Sequence, residues 1–308
     1  MYDEDSKGIS WTAGFFMLIL FTIGSAILGS ILANMIWKLQ TGSSEGIIAG
    51  ISNPAYSNAS KVAQSISALI GFLLPTLLTT TMLSKKPFKI LGFRGRILPA
   101  QAGIVIGIIV SSMLVSSAIG FLGYAIPYPQ SWVVYFTKLE REYGNQMIAV
   151  LGSRTHLNYV IALITLGFIP ALCEEALFRG GLQNFLTRSN NRPWFAIIIV
   201  AIIFSIAHLS GFSFLPRLFL VVVLGAIYYY TGRLWLSILA HFLNNALYLT
   251  IIFYTPSANE SMSDVINDQS GSYWGFALLP LVVLLFMLLK RISGSTRATR
   301  TIVTDNPY

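Results

Sequence analysis

Apolar residues occur in this chain as long unbroken runs, with neither strand alternation nor a narrow helical stripe. Seven runs stand out and an eighth follows the same pattern, near residues 12–37, 62–83, 100–125, 157–186, 193–209, 214–231, 234–254 and 273–289. About 20 apolar residues in helical form cross the hydrocarbon core of a bilayer. The pattern therefore predicts an all-α fold, a polytopic transmembrane helical bundle of about eight spans, with residues 1–308 forming a single integral membrane domain. The runs at 193–209 and 214–231 are the shortest. No soluble domain fits between the runs, and no internal repeat or low-complexity segment interrupts them.

One connection has a different period. Between residues 127 and 156, Trp132, Phe136, Leu139, Tyr143 and Met147 recur at steps of three and four. Lys138, Glu140 and Arg141 fall mostly on the other side. This predicts an amphipathic helix, lying at the outer interface or packed above the bundle.

Composition supports the membrane reading: 55% of the residues are hydrophobic and 10% charged, against roughly 25% charged in a soluble domain. The net charge of +8 would suit nucleic acid, but its placement does not. Lys85, Lys86, Lys89, Arg94 and Arg96 share one short connection, and Lys290, Arg291, Arg297 and Arg300 lie in the C-terminal tail. Basic residues confined to loops orient spans; a nucleic-acid partner is not expected. Arg188 and Arg192 occupy the 187–192 connection and Arg233 the 232–233 turn, whereas the 255–272 connection carries Glu260, Asp264 and Asp268 with no basic residue. With eight spans, all strongly basic connections fall on one side, and both termini are predicted to be cytoplasmic. A bacterial inner membrane fits, or an endoplasmic reticulum membrane in a eukaryote. The first run, Trp11 to Trp37, follows Asp3, Glu4 and Asp5 rather than a basic segment and exceeds a signal-peptide core of roughly 7–15 residues. It is expected to remain as a span.

The lone cysteine, Cys173, reads as a small buried hydrophobe. Gly103 and Gly107 form a G-x-x-x-G in the third run, a spacing that lets helices approach closely; it leaves the oligomeric state open.

Ionisable residues within spans cost roughly 2.5–3.5 kcal/mol each on insertion scales, so they mark candidate chemistry. The fourth run contains Cys173-Glu174-Glu175-Ala176-Leu177-Phe178-Arg179. Glu175 and Arg179 are one helical turn apart and can pair. Glu174 is rotated about 100° from Glu175, so it can face the bundle without its own cation, as suits a general acid or base. The bland alternative is a solvated pair at a helix end, which the apolar residues Leu182 and Phe185 beyond it argue against. The fifth run ends Phe204-Ser205-Ile206-Ala207-His208, and the seventh contains His241-Phe242-Leu243-Asn244-Asn245. Two of the chain's three histidines thus lie in apolar helices. At 1.5 Å per residue, Glu174 is roughly 20 Å from the Arg188 end, His208 roughly 22 Å from Trp194 and His241 roughly 12–15 Å from Arg233. Adjacent spans run in opposite directions, so the three can meet in one layer. Pro170, one turn before Glu174, is expected to kink the span, aiming the carboxylate or freeing a carbonyl near it.

These segments resemble the CAAX-protease and bacteriocin-processing family of intramembrane endopeptidases, which includes the Ras-converting CAAX endopeptidase of eukaryotes. The family signature has three parts, E-E-x-x-x-R, F-x-x-x-H and H-x-x-x-N, matched here in order by Glu174-Glu175…Arg179, Phe204…His208 and His241…Asn245. The resemblance covers roughly residues 157–250. It implies a glutamate-dependent endopeptidase: Glu174 activates a water with help from His208, His241 and Asn245 stabilise the oxyanion, and Glu175 and Arg179 organise the site. No cofactor is implied; zinc held by Glu174, His208 and His241 is the less favoured variant, since the zincin spacing H-E-x-x-H is absent. The substrate would be a peptide or membrane protein, prenylated or not. A non-catalytic scaffold, immunity or binding protein of the same fold is the alternative. A proton-relaying transporter is a third reading, against which stands the lack of inverted repeats.

Overall fold

The structure, a computed structural model, describes residues 5–208, 211–254 and 273–304, with side chains as far as Gly294 and not at Tyr124. The acidic 255–272 connection lies outside the described residues, as do the side chains of Arg297 and Arg300. Among the described residues the chain is helical apart from connections, and the only extended pairing is an isolated bridge between Ser6 and Ser84.

The helices are α1 (Trp11–Thr41), α2 (Pro54–Leu83), α3 (Pro99–Gly123), α4 (Gln130–Leu151), α5 (His156–Asn190), α6 (Pro193–Ala207), α7 (Phe214–Thr231), α8 (Leu234–Tyr254) and α9 (Leu279–Thr304), the last preceded by a 3-10 turn, Tyr273–Leu278. Seven are long and apolar enough to cross a membrane. The exceptions are α4, the expected amphipathic helix, and α6, whose 15 residues end at the membrane-depth site described below. The outer helices carry the lipid face: Phe16, Leu20, Ile23, Ile27 and Ile31 of α1 are all more than half exposed. This is an integral membrane protein.

The basic connections gather at one end of the bundle. The Asp5 carboxylate pairs with Lys86 at 2.8 Å and Lys89 at 3.0 Å, and hydrogen bonds from these ammonium groups, Lys86 first, hold its carboxyl below the usual carboxylate range. Thr12 meets Ser189 at 2.6 Å. Arg233 donates through Nη1 to the Arg94 carbonyl at 2.9 Å. The N-terminal segment, the 84–99 connection, the 187–192 connection and the 232–233 turn are thereby laced together. The 42–56 segment and α4 lie at the other end.

Two apolar clusters hold the centre. Leu177, Phe178, Phe185, Val200, Phe204 and Val221 join α5, α6 and α7. Val105, Ile108, Leu224, Ile227, Leu236 and Leu289 join α3, α7, α8 and α9. Of the G-x-x-x-G pair, Gly107 packs on Leu285 of α9, where a Cβ would come within 3.3 Å of the leucine; nothing lies near Gly103. The close approach thus serves packing within the chain.

Three segments wind as π-helix, Leu69–Leu73, Leu163–Phe168 and Ala176–Gln183. The first two run directly into Pro75 and Pro170. Proline has no N–H for the carbonyl one turn back, and a wider turn before it lets the freed carbonyls find other donors. The expected kink at Pro170 is therefore a π segment, and the same device recurs at Pro75.

The inward face of α4 differs from the one read in the sequence. Trp132 is 56% exposed, whereas Glu140, assigned to the polar side, is buried. The reason lies in α7: the Ser213 N–H and hydroxyl both donate to Glu140 Oε1, at 3.0 and 2.9 Å. The carboxylate thus satisfies donors at the start of α7, where a negative charge also opposes the helix dipole.

Lys61 of α2, 1% exposed, is a buried cation that the apolar pattern did not single out. Its Nζ donates to Asn158 Oδ1 at 2.7 Å, Ser57 Oγ at 3.0 Å and the Leu151 carbonyl at 3.1 Å. Three donors meet three acceptors, pinning α2 to the junction of α4 and α5. Beside it Gly152 turns at φ 72°, with no room for a Cβ against Ser57. Lys61→Met strips those acceptors of their donor and is expected to cost about 1–3 kcal/mol, read as a lower melting temperature in detergent. An unchanged melting temperature would show that the pin contributes nothing.

Candidate active site

The seven-residue α-helical segment Ile169–Glu175 of α5 lies between two π segments. Such insertions are frequent at functional sites, and this one carries the paired glutamates. Glu175 and Arg179 are both completely buried and joined by an Nη1–Oε1 hydrogen bond of 2.7 Å. Arg179 also donates through Nη2 to the Val221 carbonyl at 3.2 Å and sits 5.5 Å from the centre of the Phe204 ring. A buried cation held by a carboxylate, a carbonyl and an aromatic face remains charged without water.

His241 of α8 closes on this pair. Its Nδ1 lies 2.8 Å from Glu175 Oε1, the oxygen that also accepts from Arg179. An ionised carboxylate only accepts, so beside Arg179 the Nδ1 proton is His241's to give. The other ring nitrogen, Nε2, faces Glu174 Oε2 at 3.8 Å. That is too long for a hydrogen bond and within the span of a bridging water. The imidazole thus stands between the two glutamates, one orienting it and the other facing it.

His208 follows the last residue of α6. Its Nδ1 is 2.9 Å from the Phe204 carbonyl. A carbonyl can only accept, so the ring donates there, which leaves Nε2 as the basic nitrogen. The His208 ring stacks on Phe204 with centroids 4.4 Å apart. Phe204 in turn packs edge-on against Phe178 at 4.8 Å and His241 at 6.3 Å. The aromatic residue of the second motif therefore touches a functional side chain from each of the three. Asn245, one turn after His241, donates to the Gly167 carbonyl at 3.3 Å. This carbonyl lies in the π segment before Pro170, so Asn245 ties α8 to the widened turn of α5. One N–H of the Asn245 amide remains for another partner.

Glu174, His208, His241 and Asn245 line one cavity of about 470 Å³. Its walls come from α1 (Ala26, Ser30), α2 (Gln64, Ser67), α4 (Tyr143, Met147) and α8 (Tyr248). The lining includes Ile47, in the segment joining α1 to α2, and α4. The cavity thus reaches the connections at the end away from the basic loops. Glu175 and Arg179 lie behind the wall.

The motifs did not point to Tyr143, Tyr248 or Arg217. Tyr248 follows His241 by seven residues and shares its helix face, a signal readable in the sequence. Arg217 was readable too, as an arginine in the first turn of an apolar run; it lies within electrostatic range of Glu174 and Tyr143. Tyr143 belongs to the apolar stripe read for α4, which marked it for packing rather than for the site.

Among the described residues no group of three His, Cys, Asp or Glu side chains stands close enough to hold a metal ion, although the Nδ1 bond of His241 to Glu175 leaves its Nε2 available. Structural and catalytic zinc sites use three or four converging ligands, and Glu174, His208 and His241 do not form that set. Cys173, beside Glu174, is buried and free.

Comparison with curated proteins and with solved structures gave no match. Residues 156–247, the stretch that contains all three motifs, match the family model described as type II CAAX prenyl endopeptidase Rce1-like, consistent with the CAAX-protease and bacteriocin-processing family that the motifs resemble.

Proposed function

We propose that this protein is a glutamate-dependent intramembrane endopeptidase. The family match supports proteolysis, and the observation that carries the mechanism is His241 set between Glu175 at 2.8 Å and Glu174 at 3.8 Å on the wall of a cavity. Glu174 takes a proton from a water held against it, with His208 Nε2 as the second acceptor in the cavity. The water oxygen adds to the carbonyl carbon of the peptide bond. The resulting oxyanion is stabilised by His241 Nε2–H and the free N–H of Asn245, an electrostatic contribution that is large in a site shielded from water. Since His241 already gives its Nδ1 proton to Glu175, it can donate from Nε2 only as the imidazolium. The fixed Glu175–Arg179 pair holds the ring for that state. Glu174 then returns the proton to the amide nitrogen as the C–N bond breaks.

The substrate is a peptide or membrane protein that enters this cavity, and Lys/Arg bias assigns the basic end, with both termini, to the cytoplasm. The direct test compares protein termini in membranes containing equal amounts of wild type or Glu174→Gln. New termini present only with wild type establish proteolysis and name the substrate. Identical termini in both would leave a scaffold role.

Metal independence has its own readout. Cleavage by the purified protein is expected to survive exhaustive chelation unchanged. Loss on chelation with recovery on adding zinc would overturn the metal-free mechanism.

A further inference from the structure

The glutamate cavity is closed at one end and open at the other. Towards the basic loops, every residue of α5 from Ala176 to Gln183 is buried. Leu18 of α1, Leu83 of α2 and Leu91 of the 84–99 connection close around that stretch, none of them more than 1% exposed. A Cβ on Gly181 would collide with Leu18, and one on Gly180 would come within 3.0 Å of Leu91. Surfaces packed this closely leave no passage for water or chain. Towards the other end the lining continues. On α5 it runs from Glu174 back through Pro170 to Leu166, roughly 12 Å at helical rise. On α2 it includes Gln64 and Ser67, in the half that begins at Pro54, and it ends at Ile47 and at Tyr143 of α4. Tyr143, at this mouth, is 51% exposed.

Charge decides which side of the membrane the mouth faces. The connection at the closed end holds Lys85, Lys86, Lys89, Arg94 and Arg96. Residues 42–56, at the mouth, contain no lysine or arginine, and α4 balances Lys138 and Arg141 with Glu140 and Glu142. The side richer in lysine and arginine is the cytoplasmic one, so the mouth faces outward.

We propose that the cavity receives its substrate from the non-cytoplasmic side, so that the bond cut belongs to an exported peptide or to an outward-facing segment of a membrane protein. The identity of the bound molecule as a peptide rests on the endopeptidase reading; the side of entry rests on the cavity alone. A C-terminus held in the cytoplasm, prenylated or not, would have to cross the closed core between Ala176 and Gln183 to reach Glu174. A peptide entering from outside meets Gln64 and Ser67 first, whose side chains form no hydrogen bond among the described residues. They offer partners to the backbone amides that an extended chain brings away from water.

The test is cysteine accessibility in sealed membranes, with the lone native cysteine removed as Cys173→Ala. In that background Met147→Cys reports the mouth, Ser67→Cys the interior and Lys290→Cys the basic end. Each must melt with the Cys173→Ala protein, and Gln64→Cys replaces Ser67→Cys if the latter does not. A membrane-impermeant maleimide is added to right-side-out or to inverted vesicles. Met147→Cys and Ser67→Cys are expected to label only in right-side-out vesicles, and Lys290→Cys only in inverted ones. Labelling of the interior cysteine in inverted vesicles, or in neither kind, would overturn the proposal. So would labelling of Lys290→Cys from outside, because the mouth would then face the cytoplasm. In the comparison of termini, wild-type-dependent cuts are expected only in outward-facing segments, in the released fraction for an exported peptide and in the membrane fraction for a membrane protein. Cuts confined to cytoplasmic segments would also overturn it. Outward labelling with no Glu174-dependent termini would instead refute the endopeptidase reading and leave the side of entry as stated.

Discussion

Glu174→Gln lowers peptide cleavage by about 10²–10⁴-fold, the usual contribution of a positioned general base, and leaves the melting temperature in detergent where it was. Both halves follow from the same geometry. Glu174 faces the cavity, and His241 Nε2 stands 3.8 Å from it, beyond hydrogen-bond reach, so little packing is lost with the charge. Glutamine keeps the shape and cannot take the proton from water. A purified Glu174→Gln protein that cleaved at the wild-type rate would sink the mechanism outright. A variant that lost activity only in step with stability would place Glu174 among structural residues instead.

Arg179→Leu has the opposite signature. It strips the completely buried Glu175 of its arginine partner, a loss that costs about 3–5 kcal/mol. Activity falls with stability, because Glu175 also orients His241 through the 2.8 Å contact. The double variant Glu175→Gln/Arg179→Leu removes both charges while keeping an acceptor for His241 Nδ1, and it is expected to recover most of the lost stability. Thermal unfolding of the three proteins side by side makes the comparison. If Arg179→Leu alone melts with wild type, the buried pair is not what holds this part of α5.

The glutamate pair also shows why so much of this site is legible in sequence. Charge is costly at membrane depth, so residues that persist there stand out against an apolar background, and helical spacing sorts their partners. Glu175 and Arg179, four residues apart, form the buried pair, and Glu174, one residue earlier, faces the cavity with His208, His241 and Asn245. The number of spans and the gathering of the basic loops at one end follow from the same contrast. What escaped depends on contacts distant in sequence. The α4 pattern put Glu140 on the polar face, and what buries it is Ser213, 73 residues away. Lys61 sits at the edge of an apolar run, where a lysine reads as an ordinary helix end; only the fold brings Leu151 and Asn158 to it. The π segments have no residue signature, except that two of them end at a proline.

The shortness of α6 bears on how water comes to be inside a membrane. Its 15 residues make a rod of roughly 22 Å, against a hydrocarbon core of about 30 Å. Ile198, Ile203 and Ile206 face outward along it, so lipid rather than protein lies beside the helix. A hydrophobic mismatch of this size is relieved by local thinning of the leaflet next to the short helix. His208 sits where α6 stops, so thinning of the leaflet there would bring water towards the end of the helix that carries it. On the proposed mechanism, hydration of the glutamate would then depend on the protein and its surrounding lipid together, and the thickness of the host membrane would set the rate of cleavage.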